Sequence, residues 1–501
     1  MDGLIDCVAQ KTTAYLDAMP KKTRKSYGQF FTGKETARFM AAMFDLHRVE
    51  KEVNILDPGA GSGILSIALI ERLFKERPDC RVNLVCYEND ANIISVLQEN
   101  LLYASESSQG RLRFEIREEN YITSQAGIYN GWIGAEQNPL QYDLIIGNPP
   151  YMKIAKDAPE AKAMQDVCYG APNMYFLFAA MSSFNLKPGG ELVYIVPRSW
   201  TSGSYFCRFR ERFLAACKLS KIHLFASRDK VFQQESVLQE TMIFKALKDA
   251  ETPKTIQIST TESSADYSAK QCIEVPYETV VSGVHNFVFL PTTMEEVALL
   301  KKIGSWRHTL PELGLAMKTG LTVDFRNKDC LRSSPGDYTV PLFFSQHIQE
   351  GKVSFPIGKE NEYITTTQPG LLQDNKNYLF VKRFTAKEER RRLQCGVYLA
   401  RKHPEYKKIS TQNKINFIGG PYELSECMVY GLFVLFNSTA YDRYYRILDG
   451  STQVNASEVN TMPVPHTRLI EQMGKTIMAR KDFSVASCDE VLRGCFLEEN
   501  G

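Results

Sequence analysis

Short apolar runs alternate with stretches of helical periodicity through the first half of the chain. Runs over 53–56, 82–87, 112–116, 142–146, 191–196, 222–225 and 237–244 have the length of strands buried inside a sheet. Helices are predicted between them, over 34–44 (Thr36, Phe39, Met40 and Met43 on one face), 64–74, 91–101, 173–184 and 205–216. This alternation predicts an α/β, Rossmann-like domain with seven strands over 1–247. Residues 153–170 are polar enough to form a mobile loop. Residues 248–284 are polar and rich in Ser, Thr, Lys and Glu, and are expected to connect to a second domain over 285–501. There, short β runs mix with turns and shorter helices, which predicts mixed α/β structure. A chain of 501 residues is expected to hold more than one core.

The strand ends carry the candidate chemistry. The first strand runs into Asp57-Pro58-Gly59-Ala60-Gly61-Ser62-Gly63 and then a helix, as at the first βα turn of a nucleotide-type fold. The turn is tighter than G-x-G-x-x-G and carries Asp57 ahead of it. That favours S-adenosylmethionine, which has an ammonium and a carboxylate, over a dinucleotide with its pyrophosphate. The alternative is a packing turn. Glu88, at the end of the second strand, stands where such folds bind a ribose diol. After the third strand, Asn120 could accept from an adenine amine and Tyr121 could lie on the ring; a surface turn would explain both equally. Thr32, three residues before Glu35, has capping-box spacing, and a helix start also suits a ligand carboxylate.

The fourth strand ends at Gly147-Asn148-Pro149-Pro150-Tyr151. Two prolines forbid helix and remove two backbone donors. Asn148 Oδ1 and the Pro149 carbonyl can then accept both hydrogens of a planar amine while Tyr151 stacks on its ring. The bland alternative is a Pro-rich turn. Phe232, in a polar loop, could be a second stacking ring or a core anchor.

Composition excludes more than it selects. Twelve cysteines without a CxxC pair indicate neither a zinc site nor a disulfide framework, so no metal is expected. Without a long apolar run or a signal-like N-terminus, a cytoplasmic location with no membrane span is expected. The net charge is only +2, yet residues 376–414 hold twelve Lys and Arg against three Glu, which leaves −7 for the remainder. This basic block suits a DNA-facing surface, with Lys382, Arg383, Arg390, Arg391 and Arg392 as candidate phosphate contacts. A solvated helix face would look the same.

Three motifs in this order carry a resemblance: Tyr27-Gly28-Gln29-Phe30-Phe31-Thr32, the Asp57–Gly63 turn, and Asn148-Pro149-Pro150-Tyr151. Together they resemble the gamma-class N6-adenine DNA methyltransferases, type II modification methylases of the Taq-like and PstI/BsuBI-like group. Residues 319–328 and 452–456 are similar to that family's target-recognition domain, so the likeness spans nearly the whole chain. It implies transfer of a methyl group from S-adenosylmethionine to N6 of a flipped-out adenine in double-stranded DNA, with no metal or covalent intermediate. It implies cofactor contacts at Thr32, Asp57, Gly59, Gly61, Glu88, Asn120 and Tyr121. Catalysis would fall to Asn148, Pro149 and Tyr151, with Phe232 as a second ring against the base. Asn120 departs from the Asp common in the family. The resemblance further suggests a bacterial restriction–modification pair with a separate endonuclease, a monomer, and CTGCAG as the target. The 26 residues before the first motif are expected to be too few for a fused nuclease. Competing expectations are methylation of cytosine N4 or of a protein glutamine, and a non-catalytic DNA-binding subunit.

Overall fold

The computed structural model describes residues 3–18, 32–132, 141–225, 241–264, 266–385, 389–448 and 453–498. It separates into two compact units, Met1–Thr293 and Met294–Gly501.

The first unit is organised by one sheet. Strands β1 (Glu52–Asp57), β2 (Arg81–Tyr87), β3 (Leu112–Arg117), β4 (Tyr142–Gly147) and β5 (Leu186–Pro197) run parallel in the order β3-β2-β1-β4-β5. Beyond β5 lies β7 (Thr241–Lys248), antiparallel both to β5 and to β6 (Cys217–Phe225). All seven expected strands are thus present. Their apolar runs exist because helices cover both faces, leaving no side of the central strands to water.

The stretch 248–284, expected to be a connection, instead continues this sheet. β8 (Thr255–Thr261) pairs parallel with β6, and β9 (Gln271–Pro276) pairs antiparallel with β8. Its hydroxyls are used inside the fold: the buried His223 ring lies 2.9 Å from Ser259 Oγ and 3.1 Å from Thr261 Oγ1. Polar composition here serves a buried imidazole rather than solvent.

The helices of the unit are α1 (Leu4–Ala18), α2 (Lys34–Ala42), α3 (Ile64–Glu76), α4 (Ala91–Ser107), α5 (Tyr121–Tyr129), α6 (Pro159–Ala163), α7 (Met174–Asn185) and α8 (Cys207–Ala216). Short α6 lies within the stretch expected to be a mobile loop, and Asn130 Nδ2 holds its last carbonyl, that of Ala163, at 2.8 Å. In α7 all residues but Phe184 are buried, which matches an apolar sequence with no polar face.

The strand order reverses at β1, which pairs with β2 on one side and β4 on the other, with Leu56 opposite Ile145. The crevice at such a reversal, outside the carboxyl ends of the strands, is where open α/β sheets take ligands. The sequence delivers the Asp57–Gly63 turn, Glu88, Asn120 and Asn148 to that edge.

The second unit holds two small sheets. One runs Ala316–Thr319, Ile415–Gly419, Tyr378–Lys382, Cys395–Tyr398, Lys352–Val353 and Ile348–Gln349; the other has Val340–Phe343 and Lys408–Thr411 among its five strands. Helices Glu426–Asn437, Thr439–Leu448, Thr467–Arg480 and Val485–Glu498 follow. Two of them touch backbone to backbone. A Cβ on Gly431 would sit 1.8 Å from the Ile470 carbonyl oxygen, and one on Gly474 1.8 Å from that of Cys427. No described helix is long and apolar enough to cross a membrane.

Candidate active site

A cleft with a cavity volume of about 330 Å³ opens at the carboxyl edge of the first unit's sheet. Eight of the expected site residues line it: Thr32, Gly59, Gly61, Glu88, Asn120, Tyr121, Asn148 and Pro149. Asp57 and Tyr151 lie behind its wall, and Phe232 is outside the described residues.

Asn148 is aimed by its neighbours. Its Nδ2 donates to Thr32 Oγ1 at 3.0 Å, and its Oδ1 accepts from the Tyr151 hydroxyl at 2.8 Å. These two partners hold the amide in place from both ends. The Tyr151 hydroxyl also lies 3.0 Å from the Ile195 carbonyl on β5. Burial lifts the Tyr151 phenol well above its ordinary value, so the hydroxyl stays protonated and donates. The ring is 9% exposed and turned edge-on to Tyr175. Tyr151 reaches Asn148 through its oxygen, a contact beside the stacking expected of its face. Gly147 permits the close approach here: a Cβ on it would lie 2.7 Å from the Tyr194 ring.

Thr32 is not the helix cap expected from its spacing to Glu35. Gly33 is the N-cap of α2, without a side-chain hydrogen bond, and the Thr32 hydroxyl goes to Asn148 instead.

In the glycine turn, Gly61 has φ 53° and Gly63 φ 80°, conformations that glycine adopts without strain. Gly61 N–H donates to Glu88 Oε2 at 2.9 Å; Glu88 Oε1 accepts from the amides of Asn89 and Asp90, also at 2.9 Å. Burial raises the Glu88 carboxyl, against the pull of these three donors. Asp57 is fully buried beneath the turn, where its Oδ2 accepts from Ser66 Oγ at 2.7 Å. Burial pushes its carboxyl up to about 7 and the nearby Glu88 charge adds to this, opposed by Ser66 and by the backbone of Gly59. Asp57 thus shapes the turn from below.

Asn120 caps α5, its Oδ1 accepting from the amides of Ile122 and Thr123 at 3.1 Å each. Its Nδ2 donates to Glu160 Oε1 at 2.8 Å. Tyr121 is buried, its hydroxyl bonded to Asn185 Oδ1 at 2.9 Å and its ring against Tyr87 and Phe178. Sequence reasoning missed Phe178, Asp90 and Glu160, all of which line the cleft. Phe178 was visible only as one of many apolar residues of α7. Glu160 lay in a polar stretch with no motif.

The cleft's donor set fits S-adenosylmethionine. Glu88 keeps one acceptor position beyond its three backbone donors for a ribose hydroxyl, the first turn of α3 at Ile64 and Leu65 suits a carboxylate, and Phe178 and Pro150 give apolar walls for a ring.

In the second unit the five basic candidates separate. Arg392 is 1% exposed, its backbone N–H bonded to Asp442 Oδ1 at 2.8 Å and its guanidinium over the Tyr445 ring, so it is not a phosphate contact. Arg391 donates to the carbonyls of Phe436 and Ser438 at the end of a helix, and Arg383 to Asn413 O and Gln453 Oε1. Arg390 is exposed and Lys382 half-buried, and both line a groove of about 910 Å³ together with Lys352 and Lys481.

The sheet order and the cleft at its reversal define a Rossmann-like α/β fold with its ligand crevice outside the carboxyl ends of the strands. Residues 78–232 match the family model described as Eco57I restriction-modification methylase. The chain is 31% identical to the type II methyltransferase M.PstI of Providencia stuartii, over 98% of this chain and 96% of that one. It is 32% identical to M.BsuBI of Bacillus subtilis, over 96% of each. The chain belongs to this family of type II methyltransferases. Among solved structures it is similar in fold to the type IIL restriction-modification enzyme MmeI, determined in complex with DNA, with a TM-score of 0.55 at 12% identity over 92% of this chain and 72% of that one.

Proposed function

We propose that the protein transfers a methyl group from S-adenosylmethionine to N6 of an adenine rotated out of double-stranded DNA, as the modification half of a type II restriction–modification pair. The observation that carries this is the Asn148 amide, held at the cleft by Thr32 and Tyr151 beside the Pro149 carbonyl.

The N6 lone pair of adenine is delocalised into the ring and is a poor nucleophile. Asn148 Oδ1, which accepts from the Tyr151 hydroxyl, accepts one amine hydrogen of the base. The Pro149 carbonyl lacks a helical partner and takes the second hydrogen. Together they draw the lone pair out of conjugation and point it into the cleft. The bound cofactor supplies an electrophilic sulfonium methyl. As the N–C bond forms, the bond from the methyl to sulfur would break to leave a neutral thioether, and one amine hydrogen would leave as a proton to water. Holding both reactants in one crevice supplies much of the rate. Lys382 and Arg390, with Lys352 and Lys481 beside them, are the proposed phosphate contacts. The target sequence we propose is CTGCAG, and one site per chain suffices for a monomer acting on hemimethylated DNA beside a separate endonuclease.

Nucleoside mass spectrometry of DNA from cells expressing the chain tests this, beside Asn148→Ala and Tyr151→Phe. N6-methyladenine is expected with the intact chain, absent with Asn148→Ala, and reduced about tenfold or more with Tyr151→Phe, which keeps the ring and loses the oriented hydroxyl. N4-methylcytosine would move the target to cytosine. Absence of any methylated base would point to a protein amide.

A further inference from the structure

The cofactor's two ends are separated by the sheet. Its reacting end must lie beside Asn148, after β4, and Glu88 after β2 takes the ribose diol. The purine then falls past β2, at the end of β3, where Asn120, Tyr121 and Glu160 line the cleft. An adenine presents its exocyclic amine as a donor there. Asn120 cannot receive it, because both Oδ1 lone pairs are taken by the amides of Ile122 and Thr123, and its Nδ2 is itself a donor. That Nδ2 instead donates to Glu160 Oε1, a charge-assisted bond that fixes the carboxylate at the cleft wall. A carboxylate has about four acceptor positions. Asn120 uses one, so Glu160 still presents acceptors to the purine.

We propose that Glu160 is a binding residue of the cofactor site, accepting the purine amine, and that Asn120 is the positioning residue that aims it. This rests on S-adenosylmethionine being the cofactor. It also gives α6 a role. Glu160 follows the Asn148–Tyr151 motif by nine residues, so an occupied purine subsite restrains the segment that leaves the catalytic motif.

The test is calorimetric binding of S-adenosylhomocysteine and of its 6-deamino analogue to the full chain, to Glu160→Ala, to Glu160→Gln and to Glu119→Gln. Glu119 lines the same cleft but is exposed, which makes it the control. The wild-type chain is expected to prefer the amino compound about tenfold, the worth of one hydrogen bond to a charged acceptor. Glu160→Ala should abolish that preference with little change for the deamino analogue, Glu160→Gln should keep part of it, and Glu119→Gln all of it. Equal weakening of both ligands by Glu160→Ala would reduce Glu160 to a structural prop and overturn the assignment. Loss of the preference in Glu119→Gln would transfer the role to that residue and also overturn it. A wild-type chain that binds both compounds equally defeats the assignment alone, whereas one that binds neither defeats the cofactor with it.

Discussion

Asp57 shows how one buried carboxyl links the glycine turn to pH. Its folded value of about 7 stands well above the roughly 3.9 of an unfolded aspartate. Between those values the folded chain keeps a proton that the unfolded chain releases, so stability falls as pH rises from about 4 to about 7 and this loss is complete above. Asp57→Asn removes the titration. Thermal melting should show the variant gaining on the wild type between pH 5 and pH 8, by about 2.5 kcal/mol. An identical difference at both pH values would mean that Asp57 is ionised throughout. At this scale the sequence was informative where a strand end dictates position: the Asp57–Gly63 turn, Glu88 and Asn148 all reach one crevice. It left Thr32 and Asn120 open, because the same side chains serve as caps and as ligand contacts, and the spacing alone does not decide between the two. Glu160 was invisible, since its place at the cleft depends on a bond to Asn120 forty residues away.

Among the elements, the strands buried on both faces were legible from their apolar runs, and those at the margin were not. β8 alternates Ile256 and Ile258 with polar residues whose hydroxyls answer His223, a pattern that by composition resembles a linker. The helix crossing at Gly431 and Gly474 was equally hidden, because a glycine inside an apolar helix does not announce what passes over it. Gly431→Ala would place a methyl group where the Ile470 carbonyl already lies, so the two helices must part. A loss of at least about 2 kcal/mol is expected in denaturant unfolding of the full chain. An unchanged midpoint would show that the helices can slide apart without cost.

On the scale of the whole molecule, a nearly neutral chain carries one basic block, residues 376–414, in the second unit, but charge count alone overstates what is available to DNA. Arg392 is interior and Arg390 is open. Arg390→Ala should weaken binding to any duplex and lower the slope of log K against log salt by about 1. Arg392→Ala should leave that slope intact and lower the melting temperature. A reversal of these two outcomes would place the duplex elsewhere. The Asn148 amide has a further consequence that concerns time. One of its anchors, Thr32, lies 116 residues upstream, and its other neighbour, Tyr151, leans on a carbonyl 44 residues downstream of itself. Contacts so far apart along the chain close late, after local helices have formed. A refolding chain should therefore recover its helical circular dichroism before its methylating activity, and a ribosome-bound chain stays inactive at least until β5 has emerged. Such a delay would withhold modification of host DNA from incomplete chains and leave it to finished molecules.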